Sequence, residues 1–383
     1  MFDFAFLNVF KHDKKGLWSR RFFLDTVAPF FSRPRAETIV SLEPLHLRGC
    51  QVLMPLGAGN WVGLKPTRRE KLWQQSEQVA GELGLPILAV NRALRHSPGV
   101  SSMNIAWGNG FILALALVLV EEVVTAYGAD RLFLVGDFPG LPALISLVGE
   151  MGVPVVMQDL HPPRYEPIAH HLLYDQGVAM SVGRINPDGW GRGDAVLIFD
   201  PYYHRFAIGK KGSLFISLTD DSCNHAPELE YNLRRQGMNG TLDYLAPILE
   251  SCLTTVEPRP TAGPESYSES GGSGTPHFFP IPASFVPVSQ HVSDRVPAAG
   301  PAARSTYGPA EEFDSPQPPF RDGLLDSSRT VSTAANRNVS YRRLMDKILS
   351  IKQAGQSKNV WGFFLDKDFR ALYNTIKGSG PYN

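Results

Sequence analysis

The chain has 383 residues, 43% of them hydrophobic, and its 37 basic residues balance 37 acidic residues. This length and composition predict one large globular unit with additional segments, and the zero net charge gives no reason to expect nucleic acid as the main partner. Three widely spaced cysteines, Cys50, Cys223 and Cys252, argue against a disulfide framework or a zinc site and favour a reducing, cytoplasmic environment without a bound metal.

Two apolar stretches in the first part of the chain predict neither a secretory signal nor a membrane span. The sequence MFDFAFLNVFKHDKKG is apolar first and basic afterwards, which is the reverse of a secretory signal. The longest apolar run, FILALALVLV at 111–120, is followed by Glu121 and Glu122. It is too short to cross a bilayer, so we expect a buried helix.

Strand and helix patterns alternate from residue 50 onward. A buried strand is predicted at 50–56 and a helix at 67–84. This helix is expected to begin with the capping box Thr67-x-x-Glu70 and to end at Gly84.

The same alternation continues to residue 254. After a strand at 86–91, Asn109 is predicted to cap a long helix that ends at Tyr127. Further strands are predicted at 178–183, 194–200 and 213–218, and further helices at 165–175, 227–236 and 242–254. Continuous apolar strands separated by helices predict an α/β protein with an N-terminal α/β lobe at 1–108 and a Rossmann-like, doubly wound parallel sheet at 109–255.

The stretch RLFLVGDFPGLPALISLVGEMGVPVVMQD at 131–159 has the layout of a dinucleotide-binding βαβ unit. An apolar strand leads to a glycine turn, a helix and a second apolar strand, at whose end stands Asp159. Gly136 supplies the tight turn, and Gly140 permits close approach of the backbone one residue from the usual position. Asp159 is placed to accept a hydrogen bond from a ribose hydroxyl, which favours NAD over NADP.

Other residues of this turn argue against a working phosphate site. Pro139 removes an N–H donor, Asp137 sets a negative charge beside the phosphate position, and Pro142 stands where a third glycine is usual. The segment therefore has two interpretations at this stage, a nucleotide site and a structural βαβ unit.

The order of motifs at 2–254 resembles a known family, the Rossmann proteins that include long-chain acyl-(acyl carrier protein) reductase and the predicted amino-acid dehydrogenases, which are similar to shikimate dehydrogenase. The segments that carry the resemblance are VLMPL, EQVAGELGLPILAVN and AWGNGFILALALVLVEEV, followed by GDAVLIFD and KKGSLFISLTDD. Gly108 and Asn109 match the family's Gly-Asn pair, and Asp220 lies near its acidic position. The resemblance implies an NAD(P)-binding oxidoreductase with Asn109 at the cofactor site.

The sequence also departs from that family. GDFPGLP stands in place of the family's glycine-rich loop, and Asn91-Arg92 in place of a glycine pair. The reductase's cysteine has no counterpart, because Asp243 or Tyr244 occupies its place and Cys252 lies about two turns further along the helix. Without a thiolate nucleophile, the acyl-thioester chemistry of the reductase is not predicted.

In an open parallel sheet, ligands bind beyond the carboxyl ends of the strands. The side chains predicted at those ends are Asp137, Phe138, Asp159, His161, Asp200, Tyr202, Tyr203, His204, Asp220 and Asp221. Tyr203 and His204 are the candidate catalytic residues, because tyrosine and histidine can exchange protons with a carbonyl substrate. The alternative interpretation of DPYYH is a polar loop with aromatic packing. The nearby histidines His161, His170 and His171 fit no standard metal motif.

The composition changes near residue 256. The segment 256–336 is rich in proline, glycine and serine and has no apolar periodicity, which predicts a disordered linker. A helical segment at 337–383 follows, with short amphipathic helices predicted at 341–355 and 360–378. Such helices dock on a protein partner or back onto their own domain, or they stay disordered, and all three alternatives are open at this stage.

Two functions from different classes are compatible with these features. One is an NAD(P)-dependent oxidoreductase that acts on a carbonyl or hydroxyl group of a small molecule, with NAD favoured over NADP and with no metal. The other is a catalytically inactive Rossmann scaffold that recruits a protein partner through its C-terminal helices.

Overall fold

Two separate β-sheets follow the apolar runs of the sequence. The computed structural model describes residues 2–10, 33–95, 101–203, 213–221, 226–238, 240–254 and 333–364. The strands are β1 (Phe4–Phe10), β2 (Arg35–Leu42), β3 (Leu47–Gly57), β4 (Ile87–Val90), β5 (Asn104–Ala106), β6 (Arg131–Val135), β7 (Val155–Gln158), β8 (Met180–Gly183), β9 (Asp194–Ile198) and β10 (Leu214–Ser217). The helices are α1 (Ala58–Gly63), α2 (Pro66–Glu82), α3 (Asn109–Tyr127), α4 (Leu141–Gly149), α5 (Glu166–Gln176), α6 (Pro227–Arg235), α7 (Leu242–Thr254) and α8 (Thr333–Ser357).

The first sheet has the strand order β2-β3-β1-β4-β5. Its strands run parallel except β2, which pairs antiparallel with β3 at the edge. The strands predicted at 50–56 and 86–91 correspond to β3 and β4. The edge strand β2 was not predicted, because most of its side chains are exposed and it carries no continuous apolar run.

Helix α2, which packs on the first sheet, begins differently from the prediction. Its N-cap is Lys65 and no side chain caps it, so the predicted capping box of Thr67 and Glu70 is wrong. The reason is Pro66 at the first helical position, where a fixed φ favours the helix and the missing N–H has no partner to lose. The predicted end is confirmed, since Gly84 adopts a φ of +72° just beyond the helix.

The second sheet has the strand order β10-β9-β6-β7-β8, and all of its strands are parallel. If β6 is counted as the first strand and the sheet is followed from β8 to β10, the order is 3-2-1-4-5, which is the Rossmann order. The crossover helices α4 and α5 pack into the larger core of the protein. On the opposite face, Trp190 and Tyr203 cover the side chains of β6 and β9. The predicted α/β class is confirmed.

Helix α3 lies in the core that both sheets share. Every residue from 111 to 120 is buried, and the same cluster contains Phe4 and Phe6 of β1 together with Leu132 and Leu134 of β6. By length and composition, the helix at Asn109–Ala126 could cross a membrane, but 67% of that stretch is buried inside the protein. The apolar run at 111–120 is therefore a core helix, as predicted.

The N-terminus of α3 is capped by a residue far away in the sequence. The predicted cap is wrong: Gly108 stands at the N-cap position, and no side chain there caps the helix. Instead, the buried Glu250 of α7 accepts hydrogen bonds through its Oε2 from the backbone N–H groups of Gly110 (2.8 Å) and Phe111 (3.3 Å). A carboxylate in this place also interacts favourably with the helix dipole.

Residues 333–364, called the C-terminal segment below, complete this core. Helix α8 packs against α3, α4 and α7, with Ile348 and Ile351 fully buried. The helix begins at Thr333, so the last residues of the predicted linker are helical, whereas 255–332 lie outside the described residues. Within the helix predicted at 360–378, Val360–Phe363 form a 3₁₀ turn and 365–378 lie outside the described residues. The described residues of 2–254 and of 333–364 belong to one compact unit.

We expect Glu250→Ala to lower the free energy of unfolding by about 2–4 kcal/mol, because it leaves two buried N–H donors of α3 without an acceptor. Urea unfolding followed by circular dichroism measures this. Glu70→Ala, at an exposed position on α2, is the control and should change the free energy by less than about 0.5 kcal/mol. Equal costs for the two variants would contradict the capping role of Glu250.

Candidate functional site

The carboxyl ends of β6, β7 and β9 meet at one edge of the second sheet. This is the topological switch point, where chain connections leave the first and fourth strands in opposite directions and where open α/β sheets bind ligands. Gly136, Asp159 and Tyr203, three of the predicted site residues, lie at this edge. His204 lies outside the described residues.

Gly136 allows the turn after β6 to pack closely against the turn after β9. Its φ is +99°, and a Cβ placed on it would be 2.9 Å from Asp200 Cβ and 3.4 Å from Tyr203 Cδ2. A glycine is therefore required here by the protein itself. Its part in holding a cofactor stays a prediction.

Gly140 is likewise surrounded by protein atoms. Its φ is +85°, and a Cβ placed on it would be 2.5 Å from Leu113 Cδ1 of α3 and 3.1 Å from Leu344 Cδ2 of α8. It stands at the N-cap position of α4. In a dinucleotide loop, the third glycine allows such close helix packing, whereas the second glycine lets the backbone approach the pyrophosphate. The sequence suggested the second of these roles for Gly140, and its contacts with Leu113 and Leu344 correspond to the first.

The negative charge of Asp137 in the glycine turn is compensated within the protein. Arg164 Nη1 donates to Asp137 Oδ2 (2.6 Å), and the Tyr165 hydroxyl donates to Asp137 Oδ1 (3.1 Å). The hydrogen bond and charge of Asp137 raise the pKa of Arg164, and burial followed by the Asp137 charge raises the pKa of Tyr165. No pattern in the sequence indicated these two partners. The charge that argued against a phosphate site is therefore paired.

Asp159 carries an unsatisfied buried atom. Its side chain is 4% exposed, and its Oδ1 accepts a hydrogen bond from the backbone N–H of Leu160. Its Oδ2 is buried and has no hydrogen-bond partner among the described residues. A buried acceptor without a donor costs about 1–3 kcal/mol, and more when it is charged, so a ligand hydroxyl that donated to Oδ2 would remove this cost.

Tyr203 stays protonated at neutral pH. It is 3% exposed and packs against Trp190 and the side chains of β6 and β9. Burial, and then the charges of Asp200 and Asp159, raise the pKa of Tyr203 to about 12. A tyrosine in this state can donate a hydrogen bond, but its raised pKa makes it a weaker proton donor than an ordinary tyrosine.

A second polar cluster connects the two sheets. Arg92, which follows β4 and is 3% exposed, donates from Nε to Asp220 Oδ1 (2.5 Å) and from Nη1 to Asn109 Oδ1 (2.5 Å) and the carbonyl oxygen of Trp107 (2.9 Å). Asn109, a predicted cofactor residue, thus contacts Arg92 within the protein. Its contact with a cofactor stays a prediction.

The same region holds Asp243 and Tyr244, two titratable residues that lie beside the buried Asn8 and Asn91. Asn91 Nδ2 donates to Asn8 Oδ1 (3.0 Å), and both side chains hydrogen-bond with Tyr244. Burial raises the pKa of the neighbouring Asp243 to about 6, the charge of Asp220 adds to this shift, and a hydrogen bond from Thr241 opposes it. We call Asn8, Asn91, Arg92, Asn109, Asp220, Asp243 and Tyr244 the intersheet cluster.

Phe138 connects the glycine turn with the intersheet cluster. Its ring lies 5.2 Å from Arg92 Cζ and 5.5 Å from the ring of Phe199, which follows β9. The switch-point edge and the intersheet cluster are therefore neighbours. Most members of the cluster come from outside the predicted strand ends of the second sheet, and the signal for them was the Asn91-Arg92 pair at the end of a predicted strand.

The search for metal ligands and the comparisons with known proteins add no further assignment to the site. Among the described residues, no group of three or more histidine, cysteine, aspartate or glutamate side chains is arranged to hold a metal ion. Comparison of the chain with family models, with curated proteins and with solved structures finds no match. The resemblance to the reductase and dehydrogenase family therefore stays a prediction.

We expect Gly140→Ala to destabilise the protein by about 2–4 kcal/mol, because the new methyl group combines a strained positive φ with overlap against Leu113. Gly84→Ala is the matched control: it also has a positive φ, +72°, but nothing lies within 4 Å of its Cβ. Chemical denaturation should show a cost of only about 1 kcal/mol for the control. Equal losses would contradict the close packing at Gly140.

We expect Asp243→Asn to change the pH dependence of stability. The folded protein binds this proton more tightly than the unfolded chain, in which the pKa is near 3.8, so wild-type stability falls as pH rises from there to about 6. The variant lacks this loss, and its advantage over wild type should be about 1–2 kcal/mol larger at pH 7 than at pH 4, after allowance for partial solvent exposure.

Thermal and urea unfolding at several pH values test this expectation. Asp346→Asn, at an exposed position on α8, is the control and should show no such change. A pH-independent difference between Asp243→Asn and the wild type would contradict it.

Proposed function

We propose that the protein is an NAD-dependent oxidoreductase that acts on a hydroxyl or carbonyl group of a small molecule. The observation that carries this proposal is the buried Oδ2 of Asp159, which has no partner in the described part of the chain and lies at the end of the second strand of a sheet with Rossmann order. An acidic residue at this point accepts from the ribose hydroxyls of a dinucleotide.

The position of Asp159 also favours NAD over NADP. A carboxylate beside the ribose would repel the additional phosphate of NADP. With NADP bound, Asp159 would also lack the hydrogen bond that the free ribose hydroxyl of NAD donates. Arg164 supports the same proposal, because its pairing with Asp137 removes a charge that would repel the pyrophosphate. In this arrangement Asp159 and the N-terminus of α4 hold the cofactor.

The opposite half of the switch point would receive the nicotinamide and the substrate, since dinucleotides bind across the crevice. The residues there are Asp200 and Tyr203, which follow β9, and Asp220 of the intersheet cluster together with its partner Arg92. Bound NAD would supply the hydride acceptor or donor. Tyr203 is a proposed donor to a carbonyl oxygen: its hydroxyl is protonated at neutral pH, and its raised pKa favours donation of a hydrogen bond over full transfer of the proton. His204 remains the other proposed proton donor.

A catalytically inactive scaffold is the second candidate. The contact of Gly140 with Leu113 and Leu344 favours it, because this packing accounts for the glycine without a cofactor. Pro139 also lacks one of the N–H groups that a pyrophosphate would need. A protein partner for the C-terminal helices belongs to this candidate. Residues 365–383, which lie outside the described residues, are the remaining part of the segment predicted to recruit it.

Calorimetric titration of the full chain with NAD, NADH, NADP and NADPH tests the first candidate. We expect micromolar binding of NAD or NADH. Asp159→Ala should weaken NAD binding by about 10- to 100-fold, which corresponds to the loss of a hydrogen bond to a charged group. It should leave NADP binding unchanged or strengthen it, because the repulsion of the additional phosphate is removed.

Asp188→Asn, at an exposed carboxylate before β9, is the control and should bind like the wild type. Equal effects of Asp159→Ala on NAD and NADP would exclude the proposed role of Asp159. Absence of heat at millimolar dinucleotide, with the chain shown to be folded, would favour the scaffold.

A further inference from the structure

Arg92 is a buried cation with an incomplete set of hydrogen bonds. It is 3% exposed, its Nε donates to Asp220, and its Nη1 donates to Asn109 and to the carbonyl oxygen of Trp107. The remaining nitrogen, Nη2, makes no hydrogen bond within the part of the chain that the structure describes. An arginine side chain can only donate, so Nη2 requires an acceptor from elsewhere.

Nη2 is also the part of Arg92 that a ligand can reach. The polar side-chain atoms of the described residues that are fully buried without a partner are Arg69 Nε, Gln75 Oε1 and Asp159 Oδ2. Arg92 Nη2 is not among them, so the small exposed surface of Arg92 includes this nitrogen. A ligand acceptor placed there would form a charge-assisted hydrogen bond, which is about twice as strong as a neutral one.

Asn109 places a second donor beside the guanidinium. Its Oδ1 accepts from Arg92 Nη1, so the other atom of the amide, Nδ2, faces away from that nitrogen. Among the described residues, Nδ2 has no acceptor either. Two neighbouring donors, one of them charged, suit the two oxygens of a carboxylate.

The charges around Arg92 favour an anion with a single charge. Asp220 is shared between two arginines, since its Oδ1 lies 2.5 Å from Arg92 Nε and its Oδ2 lies 3.5 Å from Arg95 Nη1. Its one negative charge therefore does not cancel both of them. Asp243 lies close enough for the charge of Asp220, after burial, to raise its pKa. These two aspartates would repel a doubly charged phosphate more than a singly charged carboxylate.

Arg92 lies beside the switch-point edge. Its Cζ is 5.2 Å from the centroid of the Phe138 ring, which belongs to the glycine turn and also contacts Phe199 beyond β9. This side of the switch point is the half that would receive the nicotinamide and the substrate. A carboxylate on Nη2 would therefore lie near the reacting groups.

We propose that the substrate of this oxidoreductase carries a carboxylate, which Arg92 Nη2 and Asn109 Nδ2 bind. The substrate class is then a hydroxy acid or the corresponding keto acid. Oxidation of the hydroxy acid transfers a hydride from carbon to NAD and releases the hydroxyl proton to solvent, which leaves the keto acid and NADH. The inference rests on the proposed function for this reaction, whereas binding of a carboxylate at Arg92 needs no dinucleotide and can be measured separately.

Racemic lactate and its neutral amide, lactamide, are the probes, because they differ only in the carboxylate. Saturation-transfer NMR of the full chain without dinucleotide, at constant ionic strength, gives their dissociation constants. We expect about 1–10 mM for lactate, as for a small ligand with one charge-assisted contact, and at least about tenfold weaker binding of lactamide. Inorganic phosphate should also bind more weakly than lactate, because Asp220 and Asp243 repel its second charge.

Two variants locate the binding at Arg92. Asn109→Asp keeps the oxygen that accepts from Arg92 but replaces Nδ2 with a charged oxygen, so it should weaken lactate binding at least about tenfold. Arg92→Lys keeps the charge but has a single nitrogen, and it should weaken lactate binding similarly. Asn104→Asp makes the same chemical change as Asn109→Asp at an exposed position of β5 and should bind lactate like the wild type. Circular dichroism checks the fold, and Asn109→Asp alone decides if Arg92→Lys does not fold.

Equal affinities for lactate and lactamide would overturn the carboxylate site, and so would equal losses in Asn109→Asp and Asn104→Asp. Tighter binding of phosphate than of lactate would overturn the substrate class. Binding of NAD without binding of lactate would refute this inference and leave the proposed function standing. Binding of lactate without binding of any dinucleotide would support the carboxylate site and refute the oxidoreductase.

Discussion

A buried carboxylate at the N-terminus of the central helix supports much of this structure. Gly110 and Phe111 in the first turn of helix α3 are buried, and Glu250 of α7 accepts hydrogen bonds from their N–H groups in place of water. The charge of Glu250 is itself buried and needs a cation, which Lys347 of α8 supplies. The first turn of α3 thus connects the central core to α7 and to the C-terminal segment.

The polar residues of the candidate site are largely engaged with one another. Arg92 connects Asp220 of the second sheet to the loop before α3, and Arg164 neutralises Asp137 of the glycine turn. These pairs fix the geometry around Phe138 before any ligand arrives, which lowers the entropic cost of binding. Asp159 differs from them, because one of its buried oxygens has no partner among the described residues. This contrast is why the proposed cofactor site is centred on Asp159.

Local patterns in the sequence were sufficient to predict the α/β class, the strands β3, β4, β6 and β7, and the buried nature of α3, because each depends on a continuous apolar run. The capping of α2 and α3 was predicted wrongly. At α2 a proline replaced the cap, and at α3 the acceptor is Glu250, 140 positions away from Gly110. The contact of Arg92 with Asp220 spans 128 positions. Such pairs depend on how the sheets assemble, which periodicity in one sequence does not report.

The late position of α8 in the chain also affects synthesis. During translation, the apolar surface of α3 and α7 that α8 covers emerges well before α8 itself, because about 80 residues lie between them. At an elongation rate of about 5–20 residues per second, that surface stays open for roughly 4–16 seconds on the ribosome. A chaperone that recognises exposed apolar helices would have this interval in which to bind the nascent chain.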